Sequence, residues 1–594
     1  NPSQGKTHQL VLRYGAPGSE IDLGLMLPNR DPKLFQMQPY PPFAPAAREG
    51  EAGNRDFSFA SVWEIHNDFS DGVGHIYEKQ VEAGSYEFSQ GLDLASQTSL
   101  AGPTLFTNKR KVMTCPAANT AAGTVGKFKR FIQFNSAWYA ATNEAAGVIY
   151  KYDSTGVTPS VVETLTAACT QMFTDGTTLY AAQGASNAAR TSTDGATWAS
   201  AAYNANCFAQ RDENVLCYGY GATLVPGTGY ADTVAIGWSN TTMTSMVYFQ
   251  NALWIGKPEG LYRFQYGRVS EVFPVAEQYN TTNFSKMCVH KGLLYFDVQT
   301  HLFFTNGDGK FVDMFPDDTN GFAAINCLYP SFGPLLIACK MNGRAPADAR
   351  NYLMMFDGPE HPGLNPLWSD SATLKTITGC GATNVFDNTK IRVYLSQETY
   401  GEQWMDFNIN YEPLTFHPKS TTTSYITLTD FTAGFRTVPK WGYSVILNVR
   451  QSVNTSFAQI FYSADGGAWT QTQDKDGNAH TLTLGTSGTQ GGLHMVGTFF
   501  PRNLTWTTIQ LRVYMWTSTA ASSAEIAYLT VRGIVLPKPR YQIAFPVDCS
   551  ENVIPLQGQP DSGDSVRNAI ITASQLTYPV KLCDLDGNWR LVTF

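Results

Sequence analysis

Short apolar runs recur along the middle of the chain, and each is followed by small or polar residues and a second apolar run. One apolar residue in each run serves as its anchor, and the anchors of the first six runs lie roughly 40 residues apart. Repeats of this length are typical of small units with several strands each. The gap before the seventh is longer, and "MNGRAPADARN" and "GPEHPGLNPLW" are predicted as loops inserted there. The seven runs are "SAWYAA", "TTLYAA", "NVLCYG", "NALWIG", "GLLYFD", "PLLIAC" and "IRVYLS", anchored at Trp138, Leu179, Leu216, Leu253, Leu294, Leu336 and Val393.

A repeat of this length with several strands per unit predicts the blades of a β-propeller. In "ALWIGKPEGLYRF", a strand is followed by a turn closed at Gly260 and by a second strand. Trp254, Leu261 and Phe264 are then expected to pack between neighbouring blades. We predict six or seven blades within residues 121–405. A run of ordinary meander strands is the alternative.

The flanking regions predict further β-structure. Residues 406–540 alternate apolar and polar positions over six or more strands, as in a β-sandwich or jelly roll. Residues 541–594 predict a short helix in "DSVRNAIITASQL" and a terminal hairpin in "YPVKLCDLDGNWRLVTF". Residues 1–120 predict an extended, Pro-rich arm with short strands, which lies across a neighbouring subunit or along its own chain. The predicted fold class is therefore all-β, with a β-propeller followed by a β-sandwich or jelly-roll domain and an extended N-terminal arm.

Composition narrows the possible partners. Charged residues make up only 15% of the chain and the net charge is −8, which argues against a nucleic-acid groove. No apolar run has the length of a membrane span, so we expect no membrane insertion, and no signal peptide is visible at the start.

The ten cysteines are thinly spread along the chain. We predict that most are buried free thiols, typical of assembly in a reducing cytoplasm, with disulfides as the alternative.

Two short stretches, "TSTDGATW" and "YSADGGAWT", repeat the same four residue types at the same spacing. They resemble the Asp-box, a turn known from sialidases and many other propellers. Asp and Ser side chains satisfy backbone amides in such a turn, Gly takes a positive φ, and Trp covers the core beneath. We predict a structural role for both sets of residues: Ser192, Asp194, Gly195 and Trp198, and Ser463, Asp465, Gly466 and Trp469.

A sialidase-like glycoside hydrolase is a further alternative, and it needs an arginine cluster, a nucleophile pair and an acid. "FRTVP" at 435–439 departs from the Phe-Arg-Ile-Pro signature of that family. The nine histidines form no zinc motif, and the Asp-Gly turns at 474–478 and 584–588 lack the ligands of a calcium loop. We therefore predict a non-enzyme with no catalytic, cofactor-binding or metal-binding residue and no cofactor. The arginines of the repeat region occupy unrelated blade positions: Arg190, Arg211, Arg263, Arg268, Arg344 and Arg350.

The order of segments resembles that of structural tail proteins of tailed bacteriophages, of the tail-tip or baseplate type. The carrying stretches are "SVWEIHNDFSDGVGH" and "YEFSQGLDLASQTSLAGPTL" before the repeats, and "DFTAGFRTVPKWGYSVILNV" and "IQLRVYMWTSTAASSAEIAYLTVRGIVLPKPRYQIAFPVD" after them. The resemblance implies a virion component of the tail, assembled in the host cytoplasm. Its expected partners are other virion subunits, copies of itself in a symmetric assembly, and a host-surface glycan or receptor. A carbohydrate- or receptor-binding propeller protein is the alternative function.

Overall fold

The computed structural model describes most of residues 127–535 and shorter segments on either side. Within 127–535 the undescribed residues are 143, 213–214, 228, 230–232, 315–321, 342–349, 359–360, 370–375, 399–400, 410, 412–413, 415–423, 434–437, 451–454, 486–492 and 519–522. Outside it the described residues are 9–14, 21–26, 36–39, 61–66, 69, 72–73, 85–90, 92–93, 113–114, 119–120, 541–544, 563–575, 580–583 and 589–592.

Short strands precede the repeats, and several of them pair with strands far away along the chain. They are β1 (Gln9–Tyr14), β2 (Ile21–Met26), β3 (Gln36–Pro39), β4 (Ser61–His66), β5 (Gly72–Val73), β6 (Ser85–Gln90), β7 (Leu92–Asp93), β8 (Met113–Thr114) and β9 (Asn119–Thr120).

The repeats form seven antiparallel blades, and in each the strands pair in chain order. Blades 1 to 3 contain β10 (Phe128–Phe134), β11 (Ala137–Thr142), β12 (Val148–Tyr152) and β13 (Pro159–Thr164); β14 (Gln171–Thr174), β15 (Leu179–Ala182), β16 (Gly184–Ser192) and β17 (Ala199–Ala205); and β18 (Cys207–Arg211), β19 (Val215–Tyr220), β20 (Thr223–Val225) and β21 (Val234–Ala235). Blades 4 and 5 contain β22 (Ser245–Phe249), β23 (Ala252–Lys257), β24 (Gly260–Gln265) and β25 (Arg268–Pro274); and β26 (Met287–His290), β27 (Leu293–Val298), β28 (His301–Thr305) and β29 (Val312–Asp313). Blades 6 and 7 contain β30 (Phe322–Pro330), β31 (Leu335–Met341), β32 (Arg350–Gly358) and β33 (His361–Ser369); and β34 (Ile377–Thr383), β35 (Lys390–Gln397) and β36 (Gly401–Asn408).

The blades close into a ring. The first strands of consecutive blades lie side by side, and β34 of blade 7 in turn lies beside β10 of blade 1. Blade 7 takes its fourth strand from the N-terminal side, where β9 pairs with β36 through Thr120 opposite Gln403 and Asn119 opposite Trp404. The protein is therefore an all-β chain with a seven-bladed propeller, and the meander alternative is wrong.

The seven sequence anchors all lie on the second strand of a blade. Six of those strands are buried along most of their length, as in β23, where every residue is buried, whereas β19 of blade 3 is only partly buried. The predicted inserted loop "GPEHPGLNPLW" is wrong, because residues 361–369 of that region are β33, which pairs with β32. The prolines of this segment favoured a loop over a strand in the prediction, since Pro is rare inside strands.

The second domain is a sandwich of two antiparallel sheets. Its own strands are β37 (Tyr425–Leu428), β38 (Lys440–Arg450), β39 (Ser456–Ala464), β40 (Thr470–Gln471), β41 (Leu482–Gly485), β42 (Leu493–Phe499), β43 (Thr505–Trp506), β44 (Ile509–Thr517) and β45 (Glu525–Val535). One sheet runs β6-β37-β44-β39, with β40 and β41 on β39, and the other runs β4-β45-β38-β42, with β43 on β38. The core between them includes Ile460, Val445 and Leu529.

Blade 6 and the sandwich belong to one eleven-stranded sheet. At the junction, β33 pairs with β5 through Leu364 and Val73, and β5 runs parallel to β6. The Tyr352 hydroxyl in blade 6 also donates to the Ser89 carbonyl of β6 at 2.9 Å. A single hydrophobic cluster extends from blades 5 and 6 into the sandwich.

Most of the described strands of the predicted arm pair with later strands of the same chain. β1 pairs with β2 and with β47 (Val580–Cys583), and β47 pairs with β48 (Trp589–Val592). β3 pairs with β46 (Tyr541–Ala544). β4 and β6 lie within the sandwich, so a boundary at residue 120 does not separate the arm from the 406–540 domain. The one α-helix of the described residues is α1 (Gly563–Ser574).

Candidate functional site

The first of the two predicted turns joins the third and fourth strands of blade 2. Ser192 Oγ accepts a hydrogen bond from the Gly195 amide at 2.8 Å. Asp194 Oδ1 accepts from the amides of Ala196 and Thr197 at 2.8 and 2.7 Å. Because these amides favour the carboxylate, they hold the pKa of Asp194 well below its usual range. The Asp side chain is thus fully engaged within its own turn.

The apolar side of this turn packs on blade 1. Gly195 has a φ of +71°, and a Cβ atom at that position would overlap the hydroxyl of Tyr139 in β11. Trp198 packs against the buried cluster that contains Tyr139 and Ile149. This geometry is that of a structural turn, which stabilises the contact between blades 1 and 2.

The second turn joins β39 and β40 in the sandwich, and its Asp has a different partner. Asp465 Oδ1 accepts from the amides of Thr507 and Thr508 at 2.9 and 2.8 Å, and its own amide donates to the Thr508 carbonyl at 2.9 Å. The Ser463 hydroxyl donates to the Gly467 carbonyl at 2.7 Å. Asp465 therefore fixes a neighbouring loop rather than its own turn.

The Trp of the second turn also differs from that of the first. The guanidinium of Arg512 lies 4.3 Å above the ring of Trp469, whereas Trp198 packs into the core. Gly466 has a φ of +76° and open space around its Cα. The two turns share residue types, yet they lie in different domains and do not form one site.

A simpler turn recurs in the propeller and was missed in the sequence. An Asp or Asn side chain accepts a hydrogen bond from the amide of a Thr two residues later, which fixes a hairpin within a blade or, at Asn280, the connection between blades 4 and 5. The signal is Asp/Asn-x-Thr. The four pairs and their distances are Asp153–Thr155 at 3.2 Å, Asp175–Thr177 at 2.8 Å, Asn280–Thr282 at 3.0 Å and Asp387–Thr389 at 2.9 Å.

The arginines that a sialidase-like site would need lie apart. Arg190 of blade 2 binds Glu163 of blade 1, with Nε 2.8 Å from Oε1. Arg211 of blade 3 lies 3.2 Å from Asp212, and Arg263 of blade 4 lies over the Trp254 ring. Arg268 begins β25 and Arg350 begins β32, on two further positions, while Arg344 lies outside the described residues.

One face of the propeller carries a pair of exposed aromatic rings, Trp238 and Tyr279, which we call the aromatic platform. Trp238 lies between blades 3 and 4, and Tyr279 lies between blades 4 and 5. Connections from the fourth strand of one blade to the first of the next emerge on the same face, so both rings lie on it. Their centroids are 6.2 Å apart, their planes differ by 15°, and each residue is 47% exposed. The sequence did not indicate this pair, because it lies in loops outside the repeated apolar runs.

A buried ion pair holds the loop of Trp238. Lys257 Nζ donates to the carbonyls of Ile236 and Trp238 at 2.7 and 2.6 Å. Glu259 Oε1 accepts from the Trp238 amide at 2.9 Å and lies 3.0 Å from both Lys257 Nζ and the Thr241 hydroxyl. Lys257 and Glu259 are 0% and 1% exposed. The backbone around Trp238 is therefore fixed by charge-assisted hydrogen bonds.

The pKa values of both partners of this pair are lowered. Burial lowers the pKa of Lys257, and the carboxylate of Glu259 opposes that effect. Burial would raise the pKa of Glu259, but the amide of Trp238, Lys257 and Thr241 together bring its pKa below the usual value. Removal of either partner would leave an uncompensated buried charge.

A buried amide holds the loop of Tyr279. The side-chain NH₂ of Asn283 donates to the carbonyls of Gln278 and Pro258, both at 3.0 Å, and its oxygen accepts from the Gln299 amide at 2.9 Å. Gln299 Nε2 also donates to the Gln278 carbonyl at 3.0 Å. A single 3-10 turn, Ala276–Gln278, leads into Tyr279. Both halves of the aromatic platform thus rest on the turn that joins β23 and β24.

Membrane spans and metal clusters are both absent from the described residues. No helix among them has the length and apolar character that a membrane crossing requires. In the same part of the chain, His, Cys, Asp and Glu side chains form no group of three or more that could hold a metal ion. Seven of the ten cysteines are buried free thiols, as predicted for most of them: Cys169, Cys207, Cys217, Cys288, Cys327, Cys339 and Cys380.

No family model and no curated protein matches the chain. Among solved structures, an extracellular domain described as that of a hybrid two-component system from B. thetaiotaomicron is 12% identical with a TM-score of 0.35, and the match covers 62% of this chain and 47% of that one. The chain thus spans about half the length of that domain. The WD40 repeats of RRP9 are 9% identical with a TM-score of 0.33, over 47% of this chain and 92% of that one. A β-propeller domain from Myceliophteria thermophila is 10% identical with a TM-score of 0.34, over 48% and 99%. These TM-scores add nothing to the strand order, from which the propeller assignment follows.

Proposed function

We propose that this protein is a structural component of a bacteriophage virion, located in the tail or tail tip. It acts through contacts with other virion subunits and with copies of itself, and a second role is attachment to the host surface. The order of segments in the sequence, which resembles that of phage tail proteins, is the starting point. The proposal assigns no catalytic residue and no cofactor.

The observation that carries the proposal is the continuous sheet between blade 6 and the sandwich. Because the two domains share strands and one hydrophobic cluster, they cannot rotate against each other without breaking hydrogen bonds and exposing core residues. The terminal segments are joined to each other in the same way, since β1 pairs with β47 and β3 pairs with β46. A part that transmits force within a particle needs this rigidity.

An exposed apolar surface on the sandwich supports contacts with other subunits. Met495 on β42 is 67% exposed and Tyr443 on β38 is 46% exposed. Tyr443 packs edge-on against Phe499, with ring centroids 6.0 Å apart. Val496 between them packs against the core, so Met495 and Phe499 point away from it. Aromatic and Met side chains are enriched in protein interfaces.

The proposal is tested by fractionation of particles from a culture that produces the protein. Particles are banded in a density gradient, and the chain is quantified in every fraction by mass spectrometry of its peptides. We expect the chain to follow a known capsid subunit at a fixed ratio through a second gradient and a high-salt wash. Recovery of the chain only in the soluble fraction would contradict the proposal.

A further inference from the structure

A half-exposed aromatic side chain leaves apolar surface in contact with water, and a bound ligand that covers this surface removes that cost. Trp138, Trp254 and Trp506 are at most 2% exposed, whereas Trp238 is 47% exposed beside a second exposed ring. Single exposed apolar residues are common on protein surfaces. A parallel pair on one face, at an inter-ring distance of 6.2 Å, is a larger and more specific feature.

The rings are also held in place before any ligand arrives. Lys257 and Glu259 fix the backbone of Trp238, and Asn283, which is 0% exposed, fixes the turn before Tyr279. A loop already ordered in the free protein loses little conformational entropy on binding. This arrangement favours recognition of a ligand by a rigid surface.

The neighbouring side chains are neutral and polar. Residues 236–244 contain no charged side chain, and residues 275–284 contain one, Glu277. Exposed amide and hydroxyl side chains flank the two aromatic residues along the chain, including Ser239, Asn240, Gln278 and Asn280. Such groups both donate and accept hydrogen bonds. A stacked nucleobase with its phosphate would require basic residues instead.

We propose that the aromatic platform binds a neutral sugar ring of a polysaccharide. The apolar face of the sugar packs on the exposed ring surface of this stacked pair, and its hydroxyls exchange hydrogen bonds with the amides and hydroxyls of the two loops. This names the ligand class for the attachment role and rests on that part of the proposed function. The turn between β23 and β24 acts as the common support, because both platform loops are hydrogen-bonded to it.

The test uses the purified full-length chain on an array of neutral and acidic oligosaccharides and bacterial surface polysaccharides. Titration calorimetry against the best neutral oligosaccharide then gives the affinity. We expect Trp238→Ala to weaken binding about tenfold or more and Trp238→Phe to weaken it less, because part of the ring surface remains. Tyr266→Ala is the matched control, since Tyr266 is an 81% exposed aromatic in the turn between β24 and β25, on the opposite face.

Three outcomes would overturn the inference: no neutral glycan retained on the array, retention of acidic glycans alone, or equal affinity of Trp238→Ala and the parent chain. Thermal melting of each variant shows that it is folded, and Asn240→Ala provides a second, milder change on the same surface. The result is independent of particle fractionation. A chain that binds a neutral sugar but is missing from virions would keep this inference and lose the virion proposal.

Discussion

At the scale of single residues, replacement of a glycine is most damaging where its backbone is left-handed and a neighbouring side chain packs against it. Gly195 combines a φ of +71° with contact to Tyr139, so both the backbone and the available space exclude a side chain. Gly176, in the first turn of the same blade, has a φ of +91°, but a Cβ atom at that position would have no neighbour within 4 Å. These two glycines separate backbone strain from steric overlap.

We predict that Gly195→Ala lowers the free energy of unfolding by about 3 kcal/mol, because left-handed strain adds to overpacking against Tyr139. Gly176→Ala, with strain alone, is expected to lose about 1 kcal/mol. Urea unfolding followed by tryptophan fluorescence measures both. Equal losses in the two variants would mean that Gly195 does not anchor the turn on blade 1.

At the scale of elements, the sequence predicted the second strand of each blade and little of the fourth. β23 is buried at every position and is apolar up to Gly256, and β15 is buried and apolar throughout. Fourth strands such as β13 and β25 are largely exposed, and their sequences carry no clear apolar pattern. The sequence therefore predicted six or seven blades, and the structure has seven, because one strand of nearly every blade is apolar.

Other elements could not be predicted because their partners are distant. β9 has only two residues, and its place in blade 7 depends on β36, almost 300 residues later. β4 alternates apolar and polar residues, as many edge and sandwich strands do. Nothing in its composition identifies β45 as its neighbour. The aromatic platform was missed for a related reason, since Trp238 and Tyr279 come together only after the ring has closed.

The closure of the ring contains a buried carboxyl group. Glu402 on β36 is 0% exposed and accepts a hydrogen bond from the hydroxyl of Tyr152 in blade 1. Burial raises the pKa of Glu402 from 4.5 to about 8. In the unfolded chain the carboxyl loses its proton near pH 4.5, whereas in the folded chain it keeps that proton up to about pH 8.

We therefore predict that the stability contributed by this group is fully present below pH 4.5 and declines as the pH rises to about 8. Glu402→Gln, which cannot ionise, removes this decline. The measurement is the free energy of unfolding in urea, from pH 5 to 9, of the parent chain and of Glu402→Gln. The difference between the two values is compared across the pH range. A difference that stays constant across this range would contradict the raised pKa.

At the scale of the whole molecule, the propeller and the sandwich are joined by a shared sheet, the Tyr352–Ser89 hydrogen bond and a common hydrophobic cluster. Separation of the two domains would break these contacts, so we expect them to unfold as one cooperative body. Domains linked only by a flexible segment unfold independently, whereas a shared core couples their transitions.

Differential scanning calorimetry tests this coupling. We expect a single transition for the full chain, and we expect Tyr352→Phe to lower its midpoint without splitting it, because one buried hydrogen bond of about 1 kcal/mol is lost. Phe332→Ala, a change at a 58% exposed side chain, is the control and should leave the midpoint nearly unchanged. Two separate transitions in the parent chain would show that the domains are energetically independent.

The virion proposal is tested most directly by immunogold electron microscopy of particles, with antibody raised against this chain. We predict label at one defined place on tailed particles, and label at the distal tip would fit the sugar-binding role of the aromatic platform. Particles that remain unlabelled, while the antigen is detected in the soluble fraction of the same culture, would contradict the proposal.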